Sequence, residues 1–227
     1  MHIMEGFLPH PWWELWFAFS LPIVGYGIWR MEKLVKMNPR LMPMLAMAGA
    51  FIFVLSSLKM PSVTGSTSHP TGTGLSVVLF GPVVTSVLGI IVLLYQALLL
   101  AHGGISTLGA NTASMGILGP LAGWLFYRTA RKLGISLKTN VFLTAVIADW
   151  VTYIVTSFQL ALAFPATQGG VMASAKAFLA VFAITQVPIA IAEGILTVLI
   201  FKHIVNLRSE LLQNMDLLKP NKTGVEG

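Results

Sequence analysis

The sequence predicts an all-α, polytopic membrane protein, and three observations carry that prediction. Hydrophobic residues make up 56% of the 227 residues and charged residues only 10%, with a mean hydropathy of +0.80. A soluble domain carries about 25% charged residues. The apolar residues come in repeated long runs, each close to the about 20 residues that cross a hydrocarbon core of about 30 Å. Finally, the 14 Lys+Arg that outnumber the 8 Asp+Glu, for a net charge of +6, gather at the ends of those runs. That is the pattern of cytoplasmic loops, so the lipid bilayer is the expected partner and nucleic acid is not. Cysteine is absent, which excludes disulfides, thiolate metal sites and thiol catalysis.

The first span, 12–31, follows MHIMEGFLPHP. A cleavable signal would need a basic stretch ahead of its apolar run, whereas Glu5 and Glu14 open this one. Arg30, Lys33, Lys36 and Arg40 follow it, which sets residue 1 outside and the 30–40 loop in the cytoplasm. The second span, 40–58, leads back outside to the loop 59–71, KMPSVTGSTSHPT.

Residues 72–101, GTGLSVVLFGPVVTSVLGIIVLLYQALLLA, look like one crossing interrupted by Gly81-Pro82. Charge decides between one helix and two. The loop RTARKLGISLK (128–138), which follows the span 107–127, is strongly basic and belongs inside. Passing from outside at 71 to inside at 128 takes an odd number of crossings. A turn at Gly81-Pro82 makes three, the first helix being short and shielded by protein. Spans 139–163 and 174–203 complete the set, the last long enough to project beyond the bilayer, and Lys202, His203 and Arg208 put the tail inside. Seven transmembrane helices follow, with a broken pair at 72–101, the N-terminus outside and the C-terminus cytoplasmic. Residues 1–227 form a single integral membrane domain: an N-terminal segment 1–11, an outer loop 59–71 carrying His69, and a cytoplasmic tail 204–227.

This topology puts MHIMEG and His69 on one face. Of the five histidines, His10 and His203 read as solvated. His2 is different because of its position. The α-amine of Met1 and the amide nitrogen of His2 close a five-membered chelate ring on a metal, and the same amide with the imidazole Nδ1 closes a six-membered one. One more imidazole completes a square, and His69 is the best-placed donor. Tetragonal nitrogen sites suit Ni(II) and Cu(II), and imidazole also binds cobalt and zinc. The amide must lose its proton to bind, so affinity falls at low pH. Met1 precedes a bulky residue, which disfavours its removal, and Ser66, Thr67 and Ser68 flank His69 with small hydroxyls able to steady its ring.

Three stretches are distinctive together: MHIMEGFLP, SVTGSTSHPTGTG followed by LFGP, and QALLLAHGGISTLGAN. With TQVPIAIAEGILTVLIF in the last span, they resemble the CbiM/NikM family over most of the chain. Members of that family are the substrate-binding (S) components of energy-coupling factor importers for cobalt and nickel. The resemblance implies a seven-helix S component whose extra N-terminal helix inserts its free terminus into the metal pocket. It implies ligation by Met1, His2 and His69, with Co2+ or Ni2+ as substrate and no permanently bound cofactor. It also implies a transmembrane coupling protein of CbiQ or NikQ type, ATP-binding subunits of CbiO or NikO type, the small membrane protein CbiN in cobalt systems, and a prokaryotic plasma membrane. The chain itself lacks a G-x-x-x-x-G-K-[ST] phosphate loop, so it is not expected to be an enzyme. The motif wording is closer to cobalt-type CbiM, whereas a planar nitrogen set favours nickel. Thr67 stands where many family members carry cysteine.

Other polar residues leave alternatives open. Asp149, Thr152, Thr156 and Gln159 share one helix face, as do Gln186, Glu193 and Thr197, and both faces must look into the bundle. An intramembrane carboxyl group is either a metal or proton relay or a structural hydrogen-bond partner. The relay reading makes the chain a proton-coupled secondary metal transporter through Asp149 and Glu193. His102, with Asn111 beyond it, stands beside the site as a partner of His69 or on an access path. Gly119 and Gly123 allow close helix contact, inside the bundle or on the coupling protein.

Overall fold

The computed structural model describes residues 2–61, 67–215 and 217–218; Met1 and Ser66 therefore lie outside the described residues. Among these residues, seven helical segments follow one another, with a two-residue hairpin between the second and third. Helix α1 runs from Trp12 to Met37, with Glu14 in its first turn and Lys36 in its last, each matched to the helix dipole. A 3-10 turn, Pro39–Leu41, is capped by the Asn38 side chain and leads into α2, Met42–Ser57. Strands β1, Met60–Pro61, and β2, Thr67–Ser68, pair antiparallel.

The break expected within 72–101 is present. Helix α3, Thr73–Phe80, stops at Gly81, whose φ of 79° suits a residue without a Cβ. Pro82 then opens α4, Pro82–Leu100, at the first helical position, where its missing N–H costs nothing. The Ser76 and Thr85 hydroxyls meet across the break at 2.8 Å. Helix α3 is buried from Thr73 to Leu79, so its short length is covered by protein rather than lipid.

Helix α5 covers 108–132 without interruption. It starts as an α-helical turn, Leu108–Asn111, widens into a π-helical stretch, Thr112–Leu118, and continues as an α-helix, Gly119–Lys132. Helix α6, Leu137–Ala163, begins at the Ser136 cap, whose hydroxyl accepts from Thr139 N. Helix α7, Gly170–Asn214, is interrupted only by non-helical angles at Arg208. A Cβ on Gly119 would overlap Thr152 Oγ1, and one on Gly123 would press Ala148 at 3.0 Å. The two glycines thus serve close packing of α5 on α6.

Polarity is inverted relative to a soluble protein. Trp29, Leu98, Leu99, Ile184 and Leu199 are exposed, while Ser20, Thr85, Gln96, Asp149, Gln186 and Glu193 are buried. A hydrocarbon solvent dictates that arrangement, because polar groups must find their partners inside the protein. Pro39–Ser57, Pro82–Leu100, Leu137–Ala163 and Gly170–Asn214 are long and apolar enough to cross a membrane. The chain is an all-α membrane protein.

Candidate metal centre

Three buried histidines converge from three parts of the chain: His2 from the N-terminal segment, His69 from the loop after β2, and His102 from the loop after α4. The His2 ring lies 4.4 Å from the His69 ring and 4.2 Å from the His102 ring, centre to centre. His2 Nδ1 is 3.0 Å from His102 Nε2. One nitrogen from each ring can be chosen so that all three lie within 4.8 Å of one another. Nitrogens bonded to one ion at about 2.0–2.1 Å stand about 3 Å apart when adjacent and about 4 Å apart when opposite. The cluster has the dimensions of a metal site.

The tautomer of His69 follows from its neighbour. Its Nδ1 is 2.8 Å from the Pro70 carbonyl, which can only accept, so Nδ1 carries the proton. The lone pair is then on Nε2, which is buried and has no hydrogen-bond partner among the described residues. Burial, reinforced for His2 by its histidine neighbours, holds the His2 and His69 imidazoles well below their usual pKa. His102 is pushed down, chiefly by burial, to about 3. All three are therefore neutral donors at ordinary pH.

The N-terminal segment is held by the stretch that follows His102. Asn111 grips Ile3 from both sides: its Oδ1 accepts from Ile3 N at 2.8 Å, and its Nδ2 donates to Ile3 O at 3.0 Å. Thr107 Oγ1 adds a second donor to Ile3 O at 2.7 Å. Further along, Gly6 N donates to Ser106 Oγ and Ser106 N donates to the Glu5 carboxylate. Hydrogen bonds from Ser106 lower the Glu5 pKa. Gly104 makes room for this contact, since a Cβ there would lie 2.4 Å from Glu5 Cα. The Ile3 side chain is itself fully buried, with Leu8, Ala110, Leu160 and Phe182. Burying an isoleucine contributes about 1.5–3 kcal/mol. Residues 2–6 thus form a docked segment.

His69 is fixed from the opposite side by α6 and α7. Gln186 Nε2 donates to the His69 carbonyl at 3.0 Å and also faces both carboxyl oxygens of Asp149, at 2.7 and 2.9 Å. Two helical turns further along the same face, the Glu193 carboxyl accepts from Thr71 N, Thr71 Oγ1 and Gly72 N. The ion pairs among the described residues, His10–Glu14 and Lys36–Glu32, lie on the surface, so neither buried carboxyl group has a cationic side chain against it. Asp149 and Glu193 hold the backbone of residues 69–72, by way of Gln186 or directly.

Several expected roles shift. The structure does bring His2 and His69 together, and His102 joins them, its Nε2 meeting His2 Nδ1 at 3.0 Å rather than a nitrogen of His69. Ser68 does not steady the His69 ring; its hydroxyl pairs with Thr185 Oγ1 at 2.7 Å. The reason is the strand, where successive side chains point to opposite sides. Thr67 instead lies 2.9 Å from His102 Nε2. Asn111 acts on the backbone of Ile3 rather than on an imidazole. Ser106 and Thr107 sit inside the HGGISTLGAN motif and Gln186 lies on the expected inward face of the last helix, but no sequence pattern marks the backbone groups they hold. His10 and His203 are exposed, as expected.

A family model described as CbiM, cobalt uptake substrate-specific transmembrane region, matches residues 2–211. A protein named CbiM 1 for cobalt transport, from Methanosarcina barkeri, is 59% identical over 96% of this chain and 94% of its own length. The cobalt transport protein CbiM of Limosilactobacillus reuteri is 57% identical over 91% of this chain and 84% of its own. Its counterpart in Archaeoglobus fulgidus is 52% identical over 94% and 98%. Among solved structures, one described as a truncated transition metal transporter superposes with a TM-score of 0.77 at 25% identity, covering 91% of this chain and 99% of that one. Another transition metal transporter shares the fold, with a TM-score of 0.80 at 23% identity over 97% and 100% of the two chains.

Proposed function

The chain belongs to the CbiM family of cobalt-uptake transmembrane proteins, and on that footing we propose that it captures Co(II) at its outer face and delivers it inward. The observation that carries this reading is the buried cluster of His2, His69 and His102 beside a docked N-terminal segment. The ion is ligated by the Met1 amine, by the backbone and side-chain nitrogens of His2, and by Nε2 of His69. The site fits such an ion: the donors are neutral, His69 offers an unpartnered lone pair, and the amide bound as an anion offsets part of the ionic charge. Ni(II), which also favours nitrogen donors, is the competing substrate.

In this reading the seven helical segments are seven crossings, with the N-terminus outside and the C-terminus in the cytoplasm. The basic residues Arg30, Lys33, Lys36, Arg40, Arg128, Arg131, Lys132, Lys138, Lys202 and Arg208 then all lie inside. The protein works as the S component of an energy-coupling factor importer, with a CbiQ-type coupling protein, CbiO-type ATP-binding subunits and CbiN. Movement of the ion depends on ATP hydrolysis in those partners. A proton-coupled carrier running on Asp149 and Glu193 has less support, because hydrogen bonds to Gln186 and to residues 71–72 already occupy those carboxyl groups.

Calorimetry of the purified chain tests capture, and cellular uptake tests coupling. Co(II) binds the wild type and binds His69→Ala at least about tenfold more weakly. Cells expressing the chain with its partners accumulate cobalt, and an ATPase-dead partner stops accumulation. Uptake that survives loss of the ATPase would overturn the coupled-subunit reading.

A further inference from the structure

We propose that His102 is a third imidazole donor to the captured ion, bound through Nε2 and completing a five-nitrogen site. This rests on the reading of His2 and His69 as ligands and adds to it a donor outside the plane that the N-terminal chelate and His69 fill. Three observations support it. First, His102 Nε2 stands 3.0 Å from His2 Nδ1. Two nitrogens bound at right angles to one ion at about 2.0–2.1 Å would be about 2.9 Å apart. A contact between two neutral rings therefore already has the spacing of adjacent ligands.

Second, the His102 ring is aimed and enclosed. It is buried, it approaches both other rings edge-on, and its backbone N is tied to Gln96 O at 3.1 Å. Third, Nε2 has a second polar neighbour. Thr67 Oγ1 lies 2.9 Å from the same nitrogen, so the hydroxyl and His2 share it, and a bound ion would replace both contacts while keeping the two rings at the spacing of adjacent ligands. This gives the Thr67 hydroxyl a role at the site.

The consequence is selectivity. Four nitrogens in a plane suit Ni(II) and Cu(II), and an apical imidazole adds little for a square-planar d8 ion. Co(II), with seven d electrons, readily takes a fifth donor. His102 therefore favours cobalt over nickel at a site whose planar part alone would favour nickel.

The test is X-ray absorption of the Co(II)-loaded full-length protein, in which scattering from imidazole rings counts histidine ligands. Wild type is expected to give three imidazoles, His102→Ala and His69→Ala two each, and Thr67→Ala three. Calorimetry should show Co(II) binding at least about tenfold weaker in His102→Ala, with the ratio of cobalt to nickel affinity lowered. Free imidazole added to His102→Ala should restore the third ring. The wild-type count needs no variant to fold. Two imidazoles in the wild type, one of them lost in His69→Ala and neither in His102→Ala, would overturn the role of His102 and leave the proposed capture site standing. A wild-type chain that binds no cobalt, or keeps its imidazole count in His69→Ala, would overturn both.

Discussion

Replacing Asn111 by alanine removes both hydrogen bonds that this side chain makes to the backbone of Ile3. Their loss is unequal. Ile3 O keeps Thr107 Oγ1 at 2.7 Å, but Ile3 N, beside a fully buried side chain, loses its acceptor. An unsatisfied buried donor costs about 1–3 kcal/mol and a replaceable neutral hydrogen bond about 1 kcal/mol. Taken together, docking of the N-terminal segment weakens by about 2–4 kcal/mol, which at 1.4 kcal/mol per decade is about 30- to 700-fold. Apparent metal affinity falls by the fraction of chains left docked. Thr107→Val removes a donor to Ile3 O, which Asn111 still serves, along with longer contacts to Gly104 O and Asn111 Nδ2, and should cost about 1 kcal/mol, about fivefold. Calorimetric titration with Co(II) reads the affinity, and amide hydrogen exchange over residues 2–8 reads the docking. Asn111→Ala with unchanged affinity and unchanged exchange would refute the idea that this side chain holds the metal-binding terminus in place.

Three further outcomes are expected. Glu193→Gln turns a pure acceptor into a group with its own N–H facing the Thr71 and Gly72 donors, so residues 69–72 loosen and Co(II) affinity falls about 10- to 100-fold; an unchanged titration would show that the loop needs no such anchor. Gly104→Ala forces a Cβ against Glu5 Cα and abolishes binding, whereas Gly25→Ala, with open space around it, leaves the titration curve unaltered. Binding also responds to pH with a definite sign. Metal binding releases the amide proton at any pH and a second proton from the amine below its ordinary value of about 7.7–8.0. The imidazoles, held well below their usual pKa by burial, release none. Affinity for Co(II) should thus fall about tenfold per pH unit lowered above pH 8 and about 100-fold per unit below about pH 7.5; a flat profile would exclude both protons.

The helical plan was largely legible because it depends on local signals. The Gly81-Pro82 break follows from backbone chemistry, and the basic loop at 128–138 demanded an odd number of helices before it. His2 and His69 were legible because chelation depends on position in the chain, which no packing rule obscures. What Asp149 and Glu193 hold could not be read. Periodicity places both carboxyl groups and Gln186 on inward faces, but it does not say that Gln186 meets Asp149 or that Glu193 meets backbone groups of residues 71–72. Ser68 was misread because a two-residue strand turns its hydroxyl toward Thr185. The cradle for Ile3 is built by Thr107 and Asn111 from a loop and a single helical turn, and the intolerance of a Cβ at Gly104 comes from Glu5 lying against it, both properties of the folded chain.

The central claim is that the N-terminus itself binds the metal, and one added residue tests it most directly. An extension ahead of Met1 leaves every side chain in place while moving the α-amine out of the chelate around His2. Calorimetric titration of the extended protein with Co(II) should give no binding, with circular dichroism matching the wild type. Wild-type cobalt affinity in the extended chain would contradict the account.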